Sequence, residues 1–288
     1  MRLALGSVQF GVAYGVTNKE GKVSRGEVNN ILATAEKNGI KIIDTAPGYG
    51  DSEAVLGQCS VNRFSVISKI PSMQKGSFEF DIERSVRASL TTLEIDCLHG
   101  IMLHDERDAI GDDSNRIFDE LSELKRKGLV NGIGASFYNP EALAKAMDMH
   151  EIDIIQIPAN CLDQRFHKSG LLRLAKEKSM EVHARSLFLQ GLLLSKMESL
   201  PEALTPHKGE ISGYFEYARQ NGLTPLELAL AYLDKNSNID YGVVGCITEE
   251  QLNEIISAYR NIESANVDLD FDILSSSSNL LVNPSLWR

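Results

Sequence analysis

The chain has 288 residues, of which 43% are hydrophobic and 24% charged, and a formal net charge of -11. Nucleic acid and anionic membrane surfaces need a basic face, and no Lys/Arg cluster longer than Lys125-Arg126-Lys127 occurs, so neither is expected as a partner. Scattered cysteines at 59, 97, 161 and 246, a start without a signal-like region and no apolar run near ~18 residues predict a reduced, cytoplasmic protein.

Short apolar runs alternate with longer amphipathic segments from end to end. Leu3 to Val8 is the first run, and Ser24-Arg25-Gly26-Glu27 then matches a capping box that starts a helix over Arg25 to Lys37. Lys41 to Asp44 ends abruptly in a carboxylate, turns through Pro47-Gly48-Tyr49-Gly50, and is followed by a helix over Ser52 to Gln58. Next come a strand over Phe64 to Lys69, a helix over Phe78 to Leu93 and a strand over Cys97 to His104. The helix over Ser114 to Lys127 ends on the basic triplet, where cations complement the macrodipole. The strands Val130 to Ala135, Ile152 to Ile157 and Glu181 to Ser186 are separated by helices over Pro140 to Met149 and Lys168 to Lys178. An insertion with an extra helical pattern over Gly209 to Asn221, and a helix over Pro225 to Asn236, precede the last strand, Tyr241 to Gly245. Glu249 to Arg260 is the final helix of the pattern, and a tail follows from Asn261 to Arg288.

Each crossover helix returns the chain to the same edge of a parallel sheet, and eight such units predict a single-domain (β/α)8 TIM barrel spanning residues 1-288. The late insertion and the tail are expected over the barrel mouth, with a surface loop and a frayed terminus as the alternative.

The working residues of a barrel sit at the C-terminal ends of its strands. Here those ends carry Asp44, Ser68-Lys69, His104-Asp105, Ser136 and Gln156. Singly, each has an ordinary explanation: a snorkelling lysine, a hydrogen-bonded core histidine, an aspartate that caps a turn. Together they suggest proton transfer. A phenol of pKa ~10 is a poor acid at neutral pH, and Lys69 beside Tyr49 is expected to bring it down, with Asp44 holding the ammonium in place. His104 can orient a carbonyl or relay a proton. No metal-ligand pattern such as H-E-x-x-H is present, so no metal is expected.

The run Asp44-Thr45-Ala46-Pro47-Gly48-Tyr49-Gly50-Asp51-Ser52-Glu53, the following Leu56-Gly57, Lys69, Leu103-His104 and the opening Leu5 to Gly11 resemble the aldo-keto reductase superfamily. Gly132 to Ser136 and Gln156 extend the resemblance over nearly the whole chain. It implies a reductase of aldehydes or ketones, with a sugar or another polar metabolite among the candidates. Tyr49 would be the general acid, Lys69 and Asp44 its tuning pair, and His104 the residue that orients the carbonyl. It also implies NADPH or NADH held across the mouth without a Rossmann domain, by Gly6, Ser7, Val8, Asp44, Ser136, Gln156, Arg185, Ser186, Val244, Gly245 and Gln251. The substrate pocket would be formed by Gln9, Tyr49, His104 and Asp105.

Some positions depart from the family pattern. Phe137 follows Ser136 where an asparagine is usual, and Arg185 stands where an aromatic residue often stacks on the nicotinamide. Gly245 and Gln251, beside Glu249 and Glu250, replace the Lys and Arg that usually bind a 2'-phosphate, so NADH or dual use is expected. The small β-hairpin that precedes the first strand in many members is not expected. A redox sensor that binds the nucleotide, and an epimerase or lyase that uses it transiently, remain alternatives. The sequence says nothing of oligomeric state.

Overall fold

A computed structural model describes residues 1–15, 18, 20–73, 81–195, 197, 200–265 and 267–287. Eight short strands form one closed parallel barrel in the order of the chain: β1 (Leu3–Gly6), β2 (Ile42–Asp44), β3 (Ser65–Ile70), β4 (Leu98–Leu103), β5 (Val130–Ser136), β6 (Ile154–Pro158), β7 (Glu181–Arg185) and β8 (Tyr241–Val244). Pairing of Leu3 with Gly242 and Leu5 with Val244 closes the ring. The (β/α)8 expectation is met.

Side chains alternate between two hydrophobic compartments, as the two-residue period of a strand requires. Ala4, Ile42, Ile67, Met102 and Ile154 form a small cluster with Tyr241 and Val243 against it, inside the barrel. Leu5, Ile43, Val66, Ile101, Leu103 and Ile155 belong to the larger layer between sheet and helices. The inner cluster is bulky on one side and needs space on the other. A Cβ on Gly134 would lie 1.7 Å from the carbonyl oxygen of Ile154, so glycine is the residue that fits there. The same period positions the site. Asp44, Lys69, His104 and Gln156 each follow an inner-cluster residue by two positions, so they share its inward phase one step nearer the mouth.

The main outer helices are α1 (Arg25–Lys37), α2 (Ser52–Gln58), α3 (Ile82–Leu93), α4 (Ser114–Arg126), α5 (Pro140–Met149), α6 (Leu171–Glu177), α7 (Lys208–Gln220), α8 (Pro225–Lys235) and α9 (Glu249–Ser264). α3 starts later than the sequence suggested, capped by the Asp81 side chain, and Phe78 lies outside the described residues. Gly170, at φ +76, interrupts the helix expected over Lys168 to Lys178, leaving a turn at Arg165–Lys168 before α6. β1 stops at Gly6 because Val8–Gly11 forms a helical turn, and β7 stops at Arg185 because Ser186 is left-handed at φ +61.

The expected capping box at α1 is only half made. Ser24 Oγ accepts from Glu27 N, but the Glu27 carboxylate turns away to accept from the backbone N–H of Glu249 at 2.6 Å. The complete box is at α8, where Thr224 and Glu227 bond reciprocally. The insertion contributes α7, whose Tyr214 hydroxyl donates to the Pro225 carbonyl. The tail packs against the loop that follows β6 and against α7. Ser276 N donates to Leu162 O at 2.9 Å, Gln164 Nε2 to Phe271 O at 2.6 Å and Asp270 N to Tyr217 Oη at 2.8 Å. Among the described residues no helix is long and apolar enough to cross a membrane.

Candidate active site

Asp44 and Lys69 form a buried ion pair at the ends of β2 and β3. Lys69 Nζ donates to Asp44 Oδ1 at 2.7 Å and Oδ2 at 2.8 Å, and to the Thr45 carbonyl at 3.1 Å, and it is also within hydrogen-bond reach of the Tyr49 phenol. From across the mouth, Gln156 Nε2 donates to Asp44 Oδ2 at 2.7 Å. Burial alone would push the ammonium toward neutrality. The Asp44 carboxylate and the Tyr49 phenol together outweigh it and raise the Lys69 pKa above the ordinary lysine value.

Tyr49 is placed by backbone contact. A Cβ on Gly11 would lie 1.7 Å from the Tyr49 carbonyl oxygen, and one on Gly50, at φ +62, would lie 2.6 Å from Gly11 O. Two glycines thus let the turn after β1 press on the turn after β2. Lys69 Nζ lies 5.1 Å from the centroid of the Tyr49 ring. The phenol nevertheless titrates above its ordinary value, because burial pushes it up and Lys69 only partly offsets that. The expected lowering by Lys69 is therefore real in sign and overcome in sum. His104 stands edge-on to Tyr49, with ring centroids 6.0 Å apart and planes at 86°. Burial, assisted by Lys69, lowers its pKa to about 4, so the imidazole is neutral at pH 7.

Several other predicted residues lie elsewhere or do other work. Asp105 caps the turn Glu106–Ile110 by accepting from Arg107 N at 3.0 Å, and its carboxylate also holds Arg107 Nε at 2.9 Å and Ser72 Oγ at 2.9 Å. These partners keep its pKa at about 2 and tie it to the turn, within electrostatic reach of His104. Gln9 points toward the last strand: a Cβ on Gly245 would lie 2.5 Å from Gln9 Nε2. Ser7 is fully buried, with its Oγ 2.8 Å from Ser52 Oγ and its N–H on the Asp44 carbonyl at 3.0 Å. Val244 is buried in the layer between sheet and helices, so only its backbone can face the mouth. Gly6 lies against Val243, and Val8 begins the helical turn. The Ser186 carbonyl accepts from Asn160 Nδ2 at 3.0 Å, while Arg165 is paired with Asp163.

Ser136 and Arg185 meet at the mouth, with Arg185 Nε 3.4 Å from Ser136 Oγ. The guanidinium lies flat against a ring that the sequence did not single out, 3.8 Å from the centroid of Tyr138. On another side of the opening Gln190 Nε2 donates to Tyr14 Oη at 3.0 Å. Leu189, Gln190 and Gly191 are successive left-handed residues in this loop. Tyr14 and Tyr138 are each 40% exposed, so these phenols line a wet rim.

At the end of β8 the neighbourhood is acidic. Glu27 occupies the N–H of Glu249, Glu249 accepts from Thr34 Oγ1 at 2.7 Å, and Gln251 Oε1 accepts from Ile247 N at 2.9 Å. Gln251 therefore closes its own turn. Gln9 Oε1 is buried without a hydrogen-bond partner among the described residues. No group of three or more His, Cys, Asp or Glu side chains among them could hold a metal.

A closed parallel barrel with a buried ion pair and polar side chains at its mouth narrows the class of protein, and the comparisons with known proteins identify it. The family model described as "Aldo/keto reductase family" matches residues 2–268, and the chain belongs to that family of oxidoreductases, which act on small carbonyl compounds with NAD(P)H. It is 26% identical to the NADH-specific methylglyoxal reductase of Escherichia coli K12, over 93% of this chain and 92% of that protein. It is 25% identical to L-galactose dehydrogenase of Arabidopsis thaliana, over 86% of this chain and 82% of that one. An aldo-keto reductase from Bacillus halodurans, solved in its holo form, shares the fold with a TM-score of 0.76 at 18% identity, over 100% of this chain and 95% of that one.

Proposed function

We propose that the protein reduces an aldehyde or ketone to an alcohol, with Tyr49 as the general acid and a reduced nicotinamide nucleotide as the hydride source. The observation that carries this reading is a phenol that keeps its proton, set above a buried Lys69–Asp44 pair and beside a neutral imidazole. A raised phenol pKa suits the role, since the alkoxide formed at the carbonyl is a far stronger base than phenolate. Tyr49 donates its proton to the carbonyl oxygen, and Lys69 stabilises the phenolate left behind. Asp44, tied down by Gln156, keeps the ammonium charged and in register. His104, uncharged, can hydrogen-bond the carbonyl and orient it without competing as an acid.

A reduced nicotinamide, when bound, supplies the hydride. The residues present suit a dinucleotide lying across the mouth. Ser136 and Gln156 offer polar groups near Tyr49, and at the far side Gly245 leaves a cradle beside Gln9, whose buried Oε1 lacks a partner. The Glu27 and Glu249 carboxylates near the start of α9 disfavour a 2'-phosphate, which supports NADH or dual use. The name of the Escherichia coli relative, an NADH-specific reductase, points the same way.

Tyr49→Phe tests the reading. Turnover with a panel of carbonyl compounds should fall by about 10²- to 10⁴-fold, while quenching of protein fluorescence by NADH still reports binding. Unchanged turnover in the variant would overturn Tyr49 as the acid. A dissociation constant far lower for NADPH than for NADH would overturn the cofactor preference.

A further inference from the structure

Arg185 closes β7 at the mouth, half-buried, and no carboxylate pairs with it among the described residues. Arginines on the two neighbouring kinds of loop are already neutralised. After β4, Arg107 is clamped by Asp105, and after β6, Arg165 Nε and Nη2 grip Asp163 at 2.8 and 2.9 Å. Arg185 instead touches Ser136 Oγ and Phe137 O, both at 3.4 Å. These are long hydrogen bonds, so much of the donor capacity of the guanidinium is unspent.

Lys69 pairs with Asp44 and Arg107 with Asp105, His104 and Tyr49 are neutral at pH 7, and the Glu106 carboxylate is held by the backbone N–H groups of Tyr138 and Asn139. Arg185 is thus a cation of the mouth without a direct ion-pair partner among the described residues. A partly desolvated guanidinium without a counter-ion is costly unless an anion arrives to meet it. Tyr138 packs against Arg185, the guanidinium carbon 3.8 Å from its ring centroid, and the guanidinium keeps N–H groups beyond the two that reach Ser136 and Phe137. Arg185 is also within electrostatic reach of Tyr49, His104 and Tyr14. It therefore acts in the space where a carbonyl would be reduced, whereas Gly245 and Gln9 lie beyond β8.

We propose that Arg185, backed by Tyr138, is a specificity-determining residue that grips the carboxylate or phosphate of an anionic carbonyl substrate. This inference rests on the reductase reading and narrows its substrate class. The carbonyl carbon receives hydride, the oxygen receives the Tyr49 proton, and the remote anion stays bound to Arg185 unchanged.

The test compares kcat/KM, with saturating NADH, for glyoxylate, succinic semialdehyde and glyceraldehyde 3-phosphate against the uncharged propanal and glyceraldehyde. The wild type is expected to favour the anionic compounds by about tenfold to hundredfold, as a charge-assisted hydrogen-bonded pair allows. Whether the carboxylates or the phosphate lead identifies the source of the anion. In Arg185→Met the anionic-to-neutral ratio should collapse toward one, and in Arg185→Lys, which keeps the charge without the flat stack, it should be partly restored. NADH fluorescence titration and circular dichroism of each variant verify that it folds. A ratio near one in the wild type, or equal losses for both substrate classes in Arg185→Met, overturns the inference and leaves the reductase intact. Failure to reduce any carbonyl overturns the reductase reading, and this inference with it.

Discussion

The two ends of the barrel both hold a carboxylate between nitrogen partners, and they use it in opposite ways. At the mouth, Asp44 is buried with Lys69 and Gln156, and the nearby His104 is driven neutral. At the floor, where β4, β7 and β8 begin, Glu181 lies between two histidines. His183 Nε2 is 2.6 Å from its Oε1, and His99 Nε2 is 3.1 Å away. Burial raises the Glu181 carboxyl, but the two imidazoles outweigh it and hold its pKa at about 2. His99, bonded to that carboxylate, titrates above the ordinary histidine value. One histidine, near a cation in a dry pocket, is pushed toward losing its proton, and another, beside a carboxylate at the floor, toward holding it. The difference teaches that residue type does not assign a charge; the partner and the water do.

The largest effect is expected from breaking the mouth pair. Lys69→Met leaves the Asp44 carboxylate buried alone and should cost about 3–5 kcal/mol in denaturant unfolding, with loss of turnover. The double variant Asp44→Asn/Lys69→Met should regain most of the stability and none of the activity. If the single variant is as stable as the wild type, the pair is not a buried charge couple. At the floor, Glu181→Gln should cost about 1–3 kcal/mol, a shift of a few degrees in a thermal melt, with kcat retained. Loss of kcat there would tie the two ends together.

The smallest effect, and the sharpest contrast, is in pH. The folded-state pKa of His104 lies below its unfolded value, so the unfolded chain binds the extra proton and stability falls as pH drops from about 6.5 toward about 4. The folded-state pKa of His99 lies above its unfolded value, so its contribution is full below about pH 6.5 and is lost as pH rises through the raised pKa. His104→Gln should flatten the acid limb of a melting-temperature profile, and His99→Gln the neutral-to-alkaline limb. The same limb flattening in both variants would refute the opposite signs.

The barrel, and the gathering of Asp44, Lys69, His104 and Gln156 at its mouth, were legible in the sequence for one physical reason. A strand has a two-residue period, so Ile42 and Asp44, or Met102 and His104, necessarily face the same way, and a parallel sheet collects its strand ends on one face. What stayed hidden depends on groups far apart in the chain. Glu27 abandons its own helix start for Glu249, 222 positions away. Tyr138 stacks under Arg185, and Gln9 turns to Gly245, through loops whose paths no local pattern dictates. That Asp105 holds Arg107 is a matter of side-chain rotamers, which no local pattern shows. The direction of the Tyr49 shift was hidden too. Lys69 is visible in a sequence, and the dehydration that outweighs it is not.

The pairing of β1 with β8 also sets an order of assembly. Asp44 and Lys69 are 25 positions apart and can find each other early, whereas Leu3 meets Gly242 only after nearly the whole chain exists. Arg2, which caps the last turn before β8 by donating to the carbonyls of Asp234, Asn236 and Ile239, waits just as long. On a ribosome adding about 5–20 residues per second, the edges of β1 and the strands after it stay open for roughly ten seconds or more. A net charge of -11 sets copies of the chain to repel one another, so the composition that keeps the finished protein dispersed also bears on the interval in which its strand edges are open.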